Sequence, residues 1–168
     1  MIRRATILDI ERILSIVRSA QLSLRELGID QWQDGYPRRD DVMADIEHGI
    51  GWVVTDSDDS ALGYAAIPLT GEEAYLQLRD DEWHTSSRYV VVHRLCVDST
   101  MRRQGVAIQL MNHAIELARK AGMDGFRIDT HRGNIRMLAL VEKFGFSYCG
   151  IVRYDSGERL AFDLNITK

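Results

Sequence analysis

A short basic turn ending in glycine stands between a strand-like run and a helical pattern. The turn and the first helical residues are Arg102, Arg103, Gln104, Gly105, Val106 and Ala107. The unpaired amides of a first helical turn donate hydrogen bonds, and the helix dipole adds about half a positive charge there. Two arginines strengthen that field, and glycine lets a ligand approach the backbone, so the pattern is typical of a phosphate site. A solvent-facing basic turn is the competing interpretation, and the local pattern alone does not separate the two.

Two other phosphate-binding patterns are excluded by their residues. The chain has no GxxxxGK[ST] loop, and no GxGxxG follows its first strand-like segment. Nucleoside triphosphates and nicotinamide dinucleotides therefore lose support as ligands.

Hydrophobic periodicity predicts the elements of the first half that position this turn. A first strand, MIRRATI, precedes apolar residues that recur at intervals of three or four up to Leu27, and a weaker helical pattern covers residues 38–48. The period then changes to that of a hairpin between residues 51 and 69. RYVVVHRLCV is an almost continuous apolar run, which favours a central strand buried on both faces.

The hydrophobic pattern of the second half of the sequence predicts two helices and three strands. The helix after Gly105 extends to Ala121, the strand GFRIDTH follows, a shorter helix covers residues 134–144, and residues 146–166 form a closing hairpin. The predicted fold class is therefore α/β, with a mixed, mostly antiparallel sheet and the order β-α-α-β-β-β-α-β-α-β-β. We expect helices on both faces of the sheet and one domain over residues 1–168, because domains commonly contain about 100–200 residues.

Composition argues against several classes of protein. Apolar residues make up 45% and charged residues 27% of the chain, near globular averages, which argues against disorder. The net charge is −4, so no overall positive field attracts nucleic acid or anionic lipid. Charges interrupt the apolar residues of the first dozen positions, which argues against a secretory or membrane-spanning segment. We expect neither nucleic acid nor a membrane as a partner.

The cysteines and histidines do not follow a metal-binding pattern. Cys96 and Cys149 lie far apart inside apolar runs and form no CxxC pair, so buried reduced thiols and a cytoplasmic location are expected. The histidines form no HExxH motif and no close pair with a cysteine. The sequence therefore predicts no metal.

Two motifs resemble those of a known family. RRQGVA, residues 102–107, matches the R-x-x-G-x-[G/A] signature of the GCN5-related N-acetyltransferase (GNAT) superfamily. The next segment is similar to the family's N-x-x-[AM]-x-x-L-[Y]-x-x-x-G-F helix, through Asn134, Met137, Leu140, Val141, Gly145 and Phe146. The resemblance covers nearly the whole chain and implies the GNAT-like acyl-CoA N-acyltransferase fold. It implies acetyl-CoA as co-substrate, with its pyrophosphate on the amides of residues 102–107 and its pantetheine arm beside Asn134 and Met137.

The same resemblance implies direct attack of an amine on the thioester carbonyl. A backbone amide among Leu95, Cys96 and Val97 would donate to the developing oxyanion. We place His93 first as the general base, because histidine titrates near working pH. A hydrogen-bonded core histidine is the competing interpretation. The other candidate bases are Asp129, His131, Glu82 and His84, of which Asp129 could equally be an ion-pair partner of Arg94 or Arg127.

Position 141 departs from the family pattern. Many members carry a tyrosine there, whose hydroxyl is thought to protonate the departing thiolate, whereas this chain has Val141. Tyr148 and Tyr154 are the candidate replacements. A water could also serve, because thiols have a pKa of ~8.5 and leave readily near neutral pH.

The predicted activity is acetylation of a primary amine of a small molecule, an amino acid or a protein terminus. Two alternatives stay open: a non-catalytic module that binds or senses acyl-CoA, which Val141 favours, and a transferase using another acyl-CoA donor. The expected partners are acetyl-CoA and a small amine or peptide acceptor, which the sequence does not identify. A homodimer through the C-terminal hairpin also stays open.

Overall fold

The computed structural model describes residues 1–167. The chain divides into two compact units. Unit 1 contains residues 1–67 and 92–113, and unit 2 contains residues 68–91 and those from 114 onward. The elements are β1 (Ile2–Arg4), α1 (Ile10–Glu26), α2 (Arg39–Glu47), β2 (Gly51–Thr55), β3 (Ala61–Ala66), β4 (Tyr89–Val91), β5 (His93–Val97), α3 (Val106–Lys120), β6 (Gly125–Thr130), α4 (Ile135–Phe144), β7 (Ser147–Tyr154) and β8 (Gly157–Asn165). Among residues 1–167, no helix is both long enough and apolar enough to cross a bilayer.

Unit 1 is built on an antiparallel sheet in the order β1-β2-β3-β5. The helix α1 contacts β3 and β5, and its apolar face buries Ile13, Ile16 and Val17. These side chains share one face because residues three and four apart are neighbours on a helix. Gly28 follows the helix at a φ of 71°, in the left-handed region that ends helices. The first predicted helix and its glycine stop are confirmed.

Unit 2 is built on a second sheet, in the order β4-β6-β8-β7. The pair β4–β6 is parallel, and the pairs β6–β8 and β8–β7 are antiparallel. The helix α4 ends at Gly145, whose φ is 77°. The closing hairpin β7–β8 is confirmed, and β7 stands at the sheet edge.

The predicted fold class and element order are confirmed, with one difference in the run RYVVVHRLCV. This run is divided at Val92 into β4, which pairs with β6, and β5, which pairs with β3. The single mixed sheet expected from the sequence is therefore observed as two sheets of four strands. A continuously apolar strand can be buried next to any neighbouring strand. The hydrophobic pattern therefore does not show where the chain changes from one pairing partner to another. The expectations of one domain and of helices on both faces stay predictions.

A buried aspartate holds the chain at the start of α1. The Thr6 N–H donates to Asp9 Oδ2 at 2.8 Å, and Arg3 donates two guanidinium hydrogen bonds to the same carboxylate at 2.8 and 2.9 Å. Burial raises the pKa of Asp9, but the hydrogen bonds from Arg3 and Thr6 outweigh burial and hold that pKa below its ordinary value. The ionised form of Asp9 therefore stabilises the fold.

Acid should destabilise the protein through Asp9. Because the folded-state pKa is depressed, this stabilisation is present above the pKa of an unfolded aspartate, about 3.9, and is lost as pH falls through the folded value. We expect Asp9→Asn to be less stable than the wild type at neutral pH and to lose less stability between about pH 5 and pH 2. Urea unfolding across that range measures both, with the exposed Asp58→Asn as control. Equal acid sensitivity of Asp9→Asn and the wild type would contradict this expectation.

Candidate functional site

The glycine turn before α3 exposes its backbone. Arg103 and Gly105 have φ values of 64° and 81°, and Gly105 O accepts the Gln109 N–H at 3.0 Å as the helix begins. An added Cβ at Gly105 would meet no atom within 4 Å. Arg102 and Arg103, which precede Gly105, are both exposed. The turn therefore offers helix N-terminal amides and two cations to an anion.

Val106 anchors this turn to β3. Its side chain is 3% exposed, and a Cβ added at Gly63 would lie 2.5 Å from Val106 Cγ1. Gly63 is thus required for the first residue of α3 to approach the sheet. Ala107 is half-buried and Gln104 is exposed. Residues 102–107 form a turn with one apolar anchor and open polar backbone, and their role in binding a cofactor stays a prediction.

The strand β5 contains a bulge beside His93. His93 pairs with Ala66 and Cys96 pairs with Tyr64, so Arg94 and Leu95 together lie opposite one residue of β3. Arg94 has a φ of 54°, in the left-handed region that arginine rarely adopts. Bulges interrupt the hydrogen-bond ladder and often lie beside active sites.

The predicted oxyanion donors fall in and after this bulge. Cys96 is buried and, like Val97, lies in register with β3, whereas Leu95 stands in the bulge. Leu95 is therefore the member of the predicted set whose backbone lies outside the regular register.

A buried ion pair that was not predicted from the sequence holds the bulge. Arg94 Nε donates to Asp45 Oδ2 at 2.7 Å, a second guanidinium N–H donates to Oδ1, and a third donates to the Tyr36 hydroxyl at 2.6 Å. The Tyr64 hydroxyl also donates to Asp45, which is 3% exposed. Burial, reinforced by Asp45, raises the pKa of Tyr64, so its hydroxyl remains a donor. An arginine inside an apolar run of sequence indicates that a buried partner compensates its charge. The sequence does not show which residue that partner is.

In unit 2, Asp129 is held by two tyrosines. Its Oδ2 accepts the hydroxyls of Tyr75 and Tyr154 at 2.7 and 2.8 Å. Burial first, and the Asp129 charge second, raise the pKa of both tyrosines. Tyr154 therefore holds its proton strongly, which argues against it as the acid that protonates a thiolate.

The arginines considered as partners of Asp129 donate to other acceptors. Arg94 binds Asp45, and Arg127 donates to the carbonyls of Thr85 and Ser86 at 2.9 and 2.8 Å. The Arg127 guanidinium also lies over the rings of Trp83 and Tyr89, 4.3 and 3.9 Å from their centroids. Two of the aromatic side chains of unit 2 thus hold an arginine in place.

The remaining predicted residues of unit 2 have defined local roles. Asn134 caps α4, because its Oδ1 accepts the Met137 N–H at 3.2 Å. Tyr148 lies on β7, 45% exposed, with its ring 5.8 Å from that of Phe162. Val141, at the position of the usual family tyrosine, is 2% exposed and belongs to the core.

The predicted site residues are distributed over both units. Unit 1 holds His93, half-buried at the start of β5, with residues 95–97 and 102–107, whereas Asp129, Asn134, Met137 and Tyr148 belong to unit 2. Within unit 1, the bulge of β5 and the glycine turn are separated along the chain only by residues 98–101. The assembly of all these residues into one site stays a prediction.

A comparison with models of protein families identifies the family of this chain. The model of the Acetyltransferase (GNAT) family matches residues 15–146, which is more than half of the chain. The chain belongs to the GNAT family. The family expected from the motifs at residues 102–107 and 134–146 is therefore confirmed.

Known GNAT proteins resemble this chain to different extents. A GNAT-family acetyltransferase from Streptococcus agalactiae is 34% identical, with a TM-score of 0.90 over 100% of this chain and 96% of that one. The "GCN5-related N-acetyltransferase 6, chloroplastic" of Arabidopsis thaliana is 32% identical over 71 residues, or 42% of this chain and 25% of the relative. This match thus spans a quarter of the curated relative's length.

A more distant solved structure shares the fold. The PaiA N-acetyltransferase of Thermoplasma acidophilum, crystallised with coenzyme A, is 15% identical with a TM-score of 0.72, over 98% of each chain. At this identity the likeness concerns the fold alone.

Removing the partner of Arg94 should strongly destabilise this GNAT protein. Asp45→Ala leaves a guanidinium in a bulge with no carboxylate, and we expect a loss of about 3–5 kcal/mol in the free energy of unfolding. The double variant Arg94→Met/Asp45→Ala removes both charges and should recover much of that loss. Urea unfolding measures both, and Glu11→Ala, which breaks an exposed ion pair with Arg39, is the control expected to change little. An equal loss in the single and double variants would show that the ion pair does not stabilise the bulge.

Proposed function

We propose that this protein is an acetyl-CoA-dependent N-acetyltransferase that acetylates a primary amine of a small molecule, an amino acid or a protein terminus. The observation that carries the proposal is the open, basic turn at Gly105 in a chain of the GNAT acetyltransferase family. The structure of the Thermoplasma acidophilum relative with coenzyme A supports the choice of cofactor. Buried free thiols at Cys96 and Cys149 support the proposal of a cytoplasmic location.

The turn fits a pyrophosphate by its shape and by its charge. Gly105 has open space where a side chain would stand, so phosphate oxygens can approach the backbone N–H groups that begin α3. Arg102 and Arg103 supply positive charge at the same place. Val106 fixes the turn to the core, so the amides are held in position before the ligand arrives.

The strand β5 supplies two of the groups proposed for the reaction. Acetyl-CoA would supply the acetyl group through its thioester, and coenzyme A would leave as the thiol. His93, at the start of β5, would take the proton of the attacking ammonium, and the backbone N–H of Leu95 would donate to the carbonyl oxygen as negative charge develops. Tyr148, which is 45% exposed, is the candidate that would protonate the leaving thiolate. In this proposal Asp129 does not transfer the proton, because its Oδ2 already accepts hydrogen bonds from two hydroxyls.

A non-catalytic module that binds or senses acyl-CoA is the second candidate. It is favoured by Val141, a core residue without a proton to donate at the position where many relatives carry tyrosine. Release of free thiol from acetyl-CoA in the presence of a panel of primary amines supports the enzyme. Tight binding without release across that panel supports the module. The same assay with longer acyl-CoA thioesters identifies the donor.

Substituting the glycine of the turn should abolish cofactor binding. Gly105→Glu places a carboxylate where the pyrophosphate is proposed to lie, and we expect the affinity for acetyl-CoA to fall at least about 100-fold. Calorimetric titration with acetyl-CoA measures the change. ATP and desulfo-CoA serve as comparison ligands.

Gly122→Glu is the matched control for this experiment. Gly122 has a φ of 69° and no atom within 4 Å of an added Cβ, so it reproduces the backbone strain and the charge change at the other end of α3. This control should bind acetyl-CoA as the wild type does. Unchanged affinity in folded Gly105→Glu would disprove the pyrophosphate assignment.

Replacing His93 should impair turnover while cofactor binding is kept. A general base contributes about 100- to 10,000-fold, so we expect His93→Gln to lose rate on that scale at saturating substrate. Calorimetry should give nearly the wild-type affinity for acetyl-CoA. The exposed His48→Gln is the control. A saturated rate and a pH profile equal to those of the wild type would show that His93 is not the base.

A further inference from the structure

Three side chains of metal-ligating type meet in unit 2, outside the residues assigned to acetyl transfer. His84 Nδ1 lies 3.0 Å from Asp163 Oδ1 and 3.3 Å from Cys149 Sγ. The ligand atoms of the three residues all lie within 4.8 Å of one another. One nitrogen, one sulfur and one oxygen of metal-ligating type therefore lie close together.

Local backbone geometry builds this cluster. The register between β7 and β8 shifts between Tyr148 and Gly150, so Cys149 is the extra residue of a bulge, which redirects a side chain. Asp163 lies on β8 and is 2% exposed. Its Oδ2 accepts the backbone N–H groups of His84 and Thr85 at 2.7 and 2.8 Å. These bonds fix the loop that carries His84 and leave Oδ1 facing Nδ1.

The same loop is held against β7 on its other side. Arg79 and Ile151 exchange backbone hydrogen bonds of 2.9 Å in both directions. A Cβ at Gly150 would lie 2.2 Å from Arg79 O, so only glycine permits this approach. The three ligand atoms thus come from backbone segments that are fixed independently of any ion.

The contacts do not form a cysteine nucleophile with its base. A catalytic Cys-His-Asp arrangement uses the two different ring nitrogens of histidine, whereas Cys149 and Asp163 both approach Nδ1 of His84. Cys149 is fully buried, and burial, together with the Asp163 carboxylate, raises the pKa of its thiol to about 12. Reactive cysteines are instead accessible and have lowered pKa values.

The geometry agrees with tetrahedral zinc coordination. Bonds of about 2.3 Å to sulfur and about 2.0–2.2 Å to nitrogen and oxygen imply ligand separations of about 3.2–3.6 Å. A sulfur–nitrogen pair needs about 3.5 Å and a nitrogen–oxygen pair about 3.3 Å. The observed 3.3 Å between Sγ and Nδ1 and 3.0 Å between Nδ1 and Oδ1 must therefore each open by a few tenths of an ångström when the ion enters. The hydrogen bonds from the backbone N–H groups of His84 and Thr85 to Asp163 Oδ2 would orient the carboxylate, as the hydrogen bonds around metal ligands commonly do.

Charge and access favour a divalent cation of borderline softness. A thiolate and a carboxylate together compensate the two charges of Zn²⁺. The His84 side chain is 48% exposed, which gives an ion a path from solvent to the cluster. Arg127 of β6 is the cation that faces Asp163, and burial is the main cause that lowers its pKa. Its guanidinium donates hydrogen bonds to the carbonyls of Thr85 and Ser86.

We propose that His84 Nδ1, Cys149 Sγ and Asp163 Oδ1 bind Zn²⁺, with water in the fourth position. Binding forms the Zn–S bond and releases the thiol proton to solvent. The ion links the loop of residues 79–88 to the hairpin β7–β8. The expectation of no metal rested on spacing, because residues 84, 149 and 163 form no sequence motif, and this proposal departs from it. The pairing of β7 with β8 and the hydrogen bonds of the loop to Asp163 bring the three residues together.

Cobalt and zinc titration of the chelator-treated full chain tests this proposal. We expect one Co²⁺ per chain and a thiolate-to-cobalt charge-transfer band in the near ultraviolet, which Zn²⁺ then displaces. Cys149→Ser should lose this band. Cys96→Ser, which removes the other buried free thiol, is the matched control and should keep it. Absence of the band in the folded wild type, or its persistence in Cys149→Ser, overturns the proposal.

A second variant keeps the test decisive if Cys149→Ser does not fold. His84→Ala changes a half-exposed side chain, and we expect its affinity for Zn²⁺ to fall at least about 10-fold. Excess Zn²⁺ should raise the Tm of the wild type and leave that of His84→Ala unchanged. An equal rise in both would place the ion elsewhere. None of these readouts uses coenzyme A or an amine, so their outcome is independent of the proposed acetyl transfer.

Discussion

The buried ion pair between Arg94 and Asp45 is the constraint on which the functional part of unit 1 depends. It holds an arginine at a φ of 54° in the bulge of β5, where the ladder with β3 is interrupted. The left-handed conformation is unfavourable for a residue with a side chain, so packing and charge around it must offset the strain. Asp45 comes from α2 and binds this arginine, and the Tyr64 hydroxyl from β3 donates to the same carboxylate. The helix, the sheet and the bulge are thus fixed by one polar cluster.

The position of the glycine turn follows from this constraint. The strand β5 leads through residues 98–101 directly into the turn, with Asp98 Oδ1 accepting the Thr100 N–H at 2.8 Å. Val106 then secures the far end of the turn against Gly63 of β3. Both ends of the proposed anion site therefore rest on the same sheet, and its amides require little rearrangement when a ligand binds.

Local signals in the sequence predicted most helices and turns, because caps and periodicity lie within a few residues of each other. Gly28 and Gly145 ended helices as expected, and the turn before α3 was located with its glycine at a positive φ. The division of the apolar run at Val92 was missed, since it depends on which strands pair on either side. The partner of Arg94 and the cluster around Cys149 were missed for the same reason. In each case the decisive contact joins residues that are distant along the chain.

The close approach of Gly63 to Val106 also bears on engineering. A methyl group at position 63 would meet Val106 Cγ1 at 2.5 Å, within the core and away from the solvent-facing amides of the turn. The first turn of α3 would have to move outward to relieve the clash, and its amides would move with it. A substitution at position 63 would therefore displace the backbone of the proposed anion site while every side chain of the glycine turn keeps its identity.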